Sequence, residues 1–432
     1  MSRRTILILT AVILIALGAW VYVAYKKSST PGENGAAPQS FLNSLFPFGA
    51  SGTSSGTVPS GDTGGDDTTG TGTATPAVKA LVQISDKLTA GFTVLPPPAT
   101  TPIPVIDITA ATLTPQAPAP VIPVVRFVEK GTGYVYDADA LGNNQKKTSG
   151  TVIARAAEAL FGDSGNTVIV RYAKSDNRTA ATFLGHINKP LDGTSDGTLT
   201  GNFLADGISD IAISNDGKNL LYLLPTADGT TGLSMGTNGG NKRQRFTSSF
   251  SEWLLTWSDS GPILTTKASA LVPGYAYLVT SAGIFQKIAG DINGLTTKMS
   301  PDGKVLLYSV SDGESLDLHM LRLSGNTDTD TGLQTLPEKC AWNTASTEAY
   351  CGAAASIAQA PYPDAWYQGL VHFNDAFWKI DAKTGITTQV DTGEGNYIDA
   401  TNLAVDQKEQ YLFFINKIDE SLWSLSLAPA VH

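Results

Sequence analysis

A pattern of apolar strand, short polar turn and second apolar strand recurs along most of the chain. Its clearest copies cover residues 210–224 and 297–310. Intervals of 42 to 63 residues separate neighbouring copies, a period typical of a propeller blade with four short strands. Aligned on the turn, the six copies are anchored at Phe161, Ile213, Trp257, Met299, Trp342 and Val405.

The turn that joins the two strands has a clear conformational basis. In Ser300-Pro301-Asp302-Gly303, proline fixes the first turn torsion, aspartate bonds to the local backbone, and glycine takes the positive φ that reverses the chain. Further β-type runs follow each turn, so that each repeat is expected to fold as a four-stranded meander. The fourth strand of the blade built on Met299 is predicted at residues 332–336.

The flanks of the repeat region predict a seventh blade. Residues 90–95, 124–129, 133–137 and 146–149 supply four strands, interrupted by a proline-rich insertion at 96–123. The final copy lacks a fourth strand, which residues 80–85 could provide from the other end of the domain. This pairing would close the ring and remove an exposed sheet edge. We therefore predict an all-β propeller of seven blades, with six as the fallback.

The Ser-Pro-Asp-Gly-Lys turn at residues 300–304, followed by an apolar strand, resembles the TolB-like class of bacterial β-propellers. The resemblance covers residues 79–428 and is specific for the fold, whereas it carries little information about the ligand. TolB has an α/β domain before its propeller, and nothing in this chain matches one. The resemblance implies an envelope-side propeller that binds partners, without implying TolB's own partners.

The N-terminus predicts a single membrane anchor. Residues 5–25 carry no charge, and 21 helical residues span roughly 30 Å, the thickness of a hydrocarbon core. A cleaved signal peptide is the alternative, although its apolar run is shorter. Trp20, Tyr22 and Tyr25 suit the membrane interface. We expect an anchor at 1–27, with the N-terminus inside, and a flexible Gly/Ser/Thr-rich linker at 28–78 that places the propeller outside the cytoplasmic membrane.

Charge and cysteine content narrow the function classes. The net charge of −10 and the lack of a basic stripe argue against nucleic acid as a partner. The two cysteines, Cys340 and Cys351, are symmetric about a predicted turn, so that they could face each other on adjacent strands as a disulfide. Such a bond would favour an oxidising, extracytoplasmic location. Two buried reduced thiols are the alternative.

Catalytic and metal-binding motifs are weak. Gly232-Leu-Ser-Met-Gly236 matches a hydrolase nucleophile elbow, but it falls on a predicted strand rather than on a strand–turn–helix. The segment 326–332 alternates Asp with Thr as calcium loops do, yet its glycine is misplaced and no glutamate closes it, so a solvated acidic turn is favoured. The four histidines are scattered. We expect no cofactor, no metal and no enzymatic activity.

The best candidate binding element is an insertion at residues 353–373, between the second and third strands of one blade. Its aromatic and acidic side chains offer large rigid contact surfaces with polar tips. The alternative is that the tryptophan and its neighbour cap the blade or fill the channel. The candidate binding residues are Tyr362, Asp364, Trp366 and Tyr367.

The leading hypothesis is a non-enzymatic binding or scaffold protein of the bacterial cell envelope that contacts an envelope protein, a peptide or a glycan. An enzyme acting on envelope polysaccharide is the second possibility, and it would require two carboxylates that converge within about 5–10 Å in a pocket. A structural component of a surface appendage is the third.

Overall fold

Seven four-stranded antiparallel sheets make up the protein, as a computed structural model shows for residues 80–97, 121–176, 179–190, 196–392 and 397–427. Six of the sheets are meanders of consecutive strands, and the seventh joins the first strand of the described chain to the last three. The seven-blade prediction is therefore confirmed, and the six-blade fallback is excluded. In the described part of the chain, no helix is long and apolar enough to cross a membrane. The predicted anchor and linker lie outside the described residues.

The blades are numbered in chain order, and each begins with its innermost strand. Blade 1 contains β2 (Thr89–Val94), β3 (Val124–Glu129), β4 (Val135–Asp139) and β5 (Lys146–Ser149). Blade 2 contains β6 (Ala156–Gly162), β7 (Thr167–Ala173), β8 (Ala180–Asn188) and β9 (Thr198–Phe203). Blade 3 contains β10 (Asp210–Ile213), β11 (Asn219–Thr226), β12 (Gly229–Gly236) and β13 (Arg243–Ser248). Blade 4 contains β14 (Trp253–Ser258), β15 (Gly261–Thr266), β16 (Pro273–Val279) and β17 (Phe285–Asn293).

The remaining three blades follow the same order. Blade 5 contains β18 (Thr297–Met299), β19 (Val305–Val310), β20 (Asp317–Arg322) and β21 (Thr327–Leu333). Blade 6 contains β22 (Cys340–Trp342), β23 (Glu348–Ala354), β24 (Asp375–Asp381) and β25 (Thr387–Val390), with the short helix α1 (Asp364–Tyr367) between β23 and β24. Blade 7 contains β26 (Ala400–Val405), β27 (Tyr411–Asn416), β28 (Leu422–Ser426) and β1 (Leu81–Ser85).

The two ends of the domain meet in blade 7, as the sequence predicted. Strand β1 pairs antiparallel with β28, and Leu81 lies opposite Leu425. Ser424 Oγ donates a hydrogen bond to the carbonyl oxygen of Ala140 at 2.5 Å, which ties the same strand to blade 1. The closing strand gives β28 a partner on both sides, which removes the open edge that a three-stranded blade 7 would have there.

The hydrogen bonds and backbone torsions of the turn at residues 300–303 agree with those predicted from the sequence. Ser300 Oγ donates to Asp302 Oδ1 at 2.7 Å and accepts from the backbone N–H of Val305 at 3.0 Å. Gly303 has a φ of +71°, and a Cβ atom at this position would lie 1.9 Å from Ser260 Oγ. Glycine is therefore required both by the backbone conformation and by the close approach of blade 4.

The core lies between the blades. Strands such as β19 and β23 are buried along nearly their whole length, because neighbouring blades cover both of their faces. Between blades 5 and 6, Leu307 and Met320 pack with Cys351 and Ile380, and all four are almost fully buried. Continuous apolar runs, rather than strict alternation, are what strands covered on both faces require.

The cysteine pair forms the predicted disulfide. Cys340 on β22 lies directly opposite Cys351 on β23, and their Sγ atoms are 2.11 Å apart. Both residues are fully buried, in the layer between blades 5 and 6. The prediction of a cross-strand bond is confirmed, and the alternative of two reduced thiols is not the state found here.

The outer strands are where the sequence prediction was least accurate. The fourth strand of blade 5 runs over Thr327–Leu333 rather than 332–336, so the segment interpreted as an acidic turn is mostly strand. Its polar alternation reflects an outermost strand, which has one neighbour and stays largely exposed. Two further outer strands, β9 and β25, were missed for the same reason. Gly232-Leu-Ser-Met-Gly236 lies on strand β12, as predicted.

Strand direction defines two faces of the propeller. Successive strands of each blade run in opposite directions. Every innermost strand therefore begins on the same face of the propeller, and every connection between a second and a third strand lies on that face too. We call it the upper face. The insertion of blade 6 belongs to this face. The opposite lower face holds Ala80, where the described chain begins, and Leu427, where it ends; the backbone N–H of Ser426 donates to Ala80 O at 2.7 Å. The proline-rich insertion also departs from the lower face, between β2 and β3.

Candidate functional site

The insertion between β23 and β24 crosses the upper face and fastens three blades together. Asp364 Oδ2 accepts a hydrogen bond of 2.7 Å from the backbone N–H of Ala270 in blade 4. The indole Nε1 of Trp366 donates to Asp399 Oδ2 at 3.0 Å, and Lys417 Nζ donates to Trp366 O at 3.0 Å. Asp399 directly precedes blade 7, and Lys417 lies within it. Helix α1 is thus held from both sides.

The four residues predicted to bind a partner have different environments. Tyr362 and Trp366 are buried, at 0% and 3% exposure, in a small cluster that also contains Phe373. Both side chains pack inside the insertion, and the hydrogen bond from Trp366 to Asp399 helps to anchor it. The side chain of Asp364 is engaged with blade 4. Tyr367 is 42% exposed and is the only one of the four with a large solvent-facing surface.

Tyr367 also contacts the connection that precedes the innermost strand of blade 6. Its hydroxyl donates a short hydrogen bond to Glu338 Oε1, and Glu338 Oε2 accepts from Thr296 Oγ1 at 2.8 Å. Desolvation raises the pKa of Tyr367 well above its ordinary value, and the Glu338 carboxylate raises it further. The hydroxyl therefore remains a neutral donor throughout the physiological pH range.

A buried ionic cluster lies directly beneath the insertion. Lys339 Nζ donates to Asp375 Oδ2 at 2.8 Å, to Asp399 Oδ1 at 2.5 Å and to Ala400 O at 2.9 Å. The three charged side chains are fully buried. The ammonium also lies 4.9 Å from the ring centroid of Phe373, a distance at which the aromatic face stabilises a cation. One lysine is therefore the counter-ion of two carboxylates.

The two carboxylates of the cluster are not equivalent. Asp399 accepts from both Lys339 and Trp366. Asp375 Oδ2 accepts from Lys339 and from the backbone N–H of Ala400, but its Oδ1 has no hydrogen-bond partner among the described residues. Desolvation raises the pKa of Asp375 to about 6, because the buried charge is only partly compensated. His372, with its side chain 39% exposed, lies 3.5 Å from Asp399 Oδ2 at the outer edge.

Exposed apolar side chains are concentrated on the upper face. Ten of the thirteen exposed large apolar residues in the described chain lie there, on connections or at strand ends, and only Ile122, Ile284 and Ile386 lie on the lower face. Two of the ten lie on the insertion itself, and four lie on connections of blade 4 and on connections that lead into or lie within blade 7. We call these six the insertion patch, and they are Leu271, Val272, Tyr367, Leu370, Tyr397 and Ile418.

A carboxylate on an inner strand lies farther around the ring. Asp210 begins β10, and its Oδ2 accepts a 2.7 Å hydrogen bond from the backbone N–H of Leu255 on β14, thereby linking blades 3 and 4. Desolvation raises its pKa to about 6, with a smaller contribution from Glu158. This hydrogen bond gives Asp210 a structural role between the two blades.

The titration of Asp210 predicts a pH dependence of stability. Since its pKa in the folded protein lies above its ordinary value, protonation favours folding, and this contribution is lost as the pH rises from about 4 through 6. Relative to Asp210→Asn, the wild type should lose about 1–2 kcal/mol of unfolding free energy between pH 4 and pH 7, after allowance for partial solvent screening. Urea denaturation of both proteins at several pH values measures this difference, and parallel curves would refute it.

In the described part of the chain, no group of three or more His, Cys, Asp or Glu side chains is placed to hold a metal ion. The sequence reasoning missed Lys339, Asp375 and Asp399, because they come from separate connections that only the ring brings together. It also missed the insertion patch, since single apolar residues in loops have no periodicity. The indication that the sequence offered was the position of Lys339 directly before a predicted innermost strand.

The fold and the turns define a class, that of seven-bladed β-propellers. No protein-family model matches the chain, and no curated protein sequence matches it significantly. Among solved structures, it is similar to TolB from Acinetobacter baumannii, with a TM-score of 0.39 and 12% identity over 62% of this chain. The match spans 62% of that TolB chain.

Two enzymes are also among the similar structures. Kuenenia stuttgartiensis hydrazine synthase has a TM-score of 0.46 and 12% identity, over 71% of this chain and 93% of its own. An oligogalacturonate lyase in complex with manganese has a TM-score of 0.47 and 11% identity, over 71% and 86%. At such identities the similarity concerns the fold alone.

Proposed function

We propose that this protein is a non-enzymatic binding scaffold of the bacterial cell envelope, with its propeller displayed outside the cytoplasmic membrane. The insertion patch is the docking surface, and the occupant is an envelope protein that presents apolar side chains. The predicted anchor at residues 5–25 and the Cys340–Cys351 disulfide support this location, because disulfides persist in oxidising compartments.

The segregation of exposed apolar side chains to one face carries this proposal. Exposed apolar clusters on soluble proteins commonly mark interaction sites. The patch lies on the upper face, whereas Ala80, Leu427 and the base of the proline-rich insertion lie on the lower face. A chain tethered at Ala80 would therefore leave the patch free for a partner. The insertion beneath the patch is fixed by Asp364, Trp366 and Lys417, so that a partner meets a preformed surface.

The buried cluster favours binding over catalysis. Asp375 and Asp399 converge on one lysine, but both side chains are fully buried. The indole N–H of Trp366 also donates a hydrogen bond to the carboxylate of Asp399. Their arrangement is that of a structural ion cluster beneath a docking surface.

Site-specific photo-crosslinking tests the docking surface. A photoreactive phenylalanine analogue is placed in the full-length chain at Leu271, Leu370 or Ile418, and the matched lower-face controls carry it at Ile284 or Ile386. We expect the same partner protein to be linked from all three patch positions and from neither control. Leu370→Asp should weaken the interaction about tenfold, because burying a charge in an apolar contact is costly.

Three results would contradict the proposal. Adducts formed equally from the lower-face controls would show that the patch has no special role. The absence of any adduct from the three patch positions would remove the docking surface. Adducts containing only a second copy of this chain would favour the structural, self-associating role instead.

A further inference from the structure

Lys298 lies on β18, the innermost strand of blade 5, and its side chain faces blade 6. It is directly opposite Leu307 on β19, and residues opposite each other in a ladder share a face of the sheet. Leu307 packs in the core between blades 5 and 6, whereas Met299, the next residue of β18, packs against blade 4. Lys298 is partly exposed. It does not belong to the insertion patch, and the inference drawn from it does not depend on the proposed protein partner.

The described residues give the amine of Lys298 one hydrogen-bond partner and no counter-ion. Its Nζ donates to the backbone carbonyl oxygen of Cys340 at 2.6 Å, and none of the ion pairs in the described chain includes it. The Cα atoms of Cys340 and Cys351 are 4.0 Å apart, a spacing typical of opposed residues that exchange no ladder hydrogen bonds. The carbonyl group of Cys340 therefore points away from β23, toward the open edge of β22, and the amine lies at that edge.

Glu338 is the carboxylate that acts on Lys298, but its two oxygens already accept hydrogen bonds from other donors. Oε1 accepts from the hydroxyl of Tyr367, and Oε2 accepts from Thr296 Oγ1 at 2.8 Å. Desolvation lowers the pKa of Lys298 to about 8, and the charge of Glu338 offsets only part of this effect. A desolvated lysine without a counter-ion releases its proton readily, which is the property of lysines that form Schiff bases.

We propose that the side-chain amine of Lys298 is a nucleophile that binds a small neutral aldehyde as a Schiff base. The nitrogen lone pair attacks the carbonyl carbon, and the carbonyl oxygen takes up a proton to give a carbinolamine. Loss of water then breaks the C–O bond and forms the C=N bond. The two hydrogens of the amine leave in that water molecule, so that the step needs no oxidant or reductant.

The surroundings of the amine define the class of aldehyde. Leu307 is the cross-strand neighbour of Lys298, and the indole Nε1 of Trp342 donates to Lys298 O at 3.4 Å. These side chains favour a ligand with an apolar body. The carboxylate of Glu338 disfavours an anionic ligand, since like charges repel.

Reductive trapping on the full-length protein tests this site. Propionaldehyde with sodium cyanoborohydride converts each Schiff base into a stable secondary amine, and peptide mass spectrometry gives the initial rates at Lys298 and at Lys267, whose side chain is 64% exposed. At pH 7 about a tenth of an amine with a pKa of about 8 is uncharged, against less than about 0.1% of an ordinary lysine. We expect Lys298 to react at least about tenfold faster than Lys267, and this ratio to fall as the pH rises to about 10.

A second probe and two matched variants test the electrostatic part of the site. Glyoxylate, an anionic aldehyde, should give a lower ratio of Lys298 to Lys267 modification than propionaldehyde. Glu338→Gln keeps an acceptor oxygen but removes the charge that raises the pKa of Lys298, and it should speed the reaction at pH 7 about two- to fivefold. Glu252→Gln removes the partner of Lys267 and should leave the rate at Lys298 unchanged.

Three results would overturn the proposal. The first is modification of Lys298 at pH 7 no faster than that of Lys267. The second is a ratio of the two rates that stays constant between pH 7 and pH 10, because the amine would then titrate as an ordinary lysine does. The third is a higher ratio with glyoxylate than with propionaldehyde, which would show that the site selects an anion.

Discussion

Replacing Lys339 with methionine is expected to lower the free energy of unfolding by about 3–5 kcal/mol, the usual cost of leaving buried charge uncompensated. The lysine is the shared cation of Asp375 and Asp399, and all three side chains are fully buried. Methionine has a similar length and packs against Phe373, so the expected loss comes from charge rather than from a cavity. Urea denaturation at pH 8 measures it.

Two comparisons make this expectation specific to the cluster. Lys267→Met removes a surface pair with Glu252, in which both side chains are more than half exposed, and should cost less than about 1 kcal/mol. Adding Asp375→Asn and Asp399→Asn to Lys339→Met should recover most of the loss, because no buried charge then remains. The deficit of the single variant should also shrink as the pH falls, because Lys339 lowers the pKa of Asp375 and the variant without it takes up a proton at a higher pH than the wild type. A deficit no larger than that of Lys267→Met would refute the role assigned to the cluster.

Loss of the disulfide is the second large effect expected. Replacing both Cys340 and Cys351 with alanine should lower the unfolding free energy by about 2–4 kcal/mol, the usual range for a native disulfide. The bond joins the inner strand of blade 6 to its neighbour, in the core shared with blade 5. Alanine leaves no polar group behind, so that the change reports mainly on the lost cross-link. Thermal and urea unfolding of the two proteins measure the difference.

Reducing agent supplies the matched control for the disulfide. The wild type unfolded in the presence of dithiothreitol should approach the stability of the alanine variant, while the variant itself should not respond to the reductant. Equal stability of the wild type with and without reductant, after the thiols are shown to be free, would contradict the expected contribution.

Local chemistry explains why so much of the ring was predictable from sequence. The Pro301-Asp302-Gly303 turn specifies its own backbone torsions, and the apolar runs that follow specify strands covered on both faces. The cysteine pairing was predictable because the positions 340 and 351 are symmetric about one turn. Strand β1 was predictable because the last repeat in the sequence supplies only three of the four strands of a blade.

Features that depend on long-range assembly could not be predicted. The cluster of Lys339, Asp375 and Asp399 forms only when the connections of blades 6 and 7 meet, and no spacing along the chain encodes this meeting. Outer strands such as β9 have one neighbour and mostly exposed side chains, so their composition approaches that of a loop. The insertion lies between the second and third strands of blade 6, as predicted, but only contacts could show that Trp366 is buried and Tyr367 is exposed.

The pairing of β1 with β28 also has a kinetic consequence. The first strand of the propeller to be synthesised pairs with one of the last, since residue 81 lies opposite residue 425. Blades 1 to 6 consist of neighbouring hairpins and can form as the chain emerges, whereas closing so long a loop costs entropy and is intrinsically slow. Until that step, β28 presents an open edge. Nascent or C-terminally shortened chains are therefore the forms of this protein most exposed to aggregation and to chaperones.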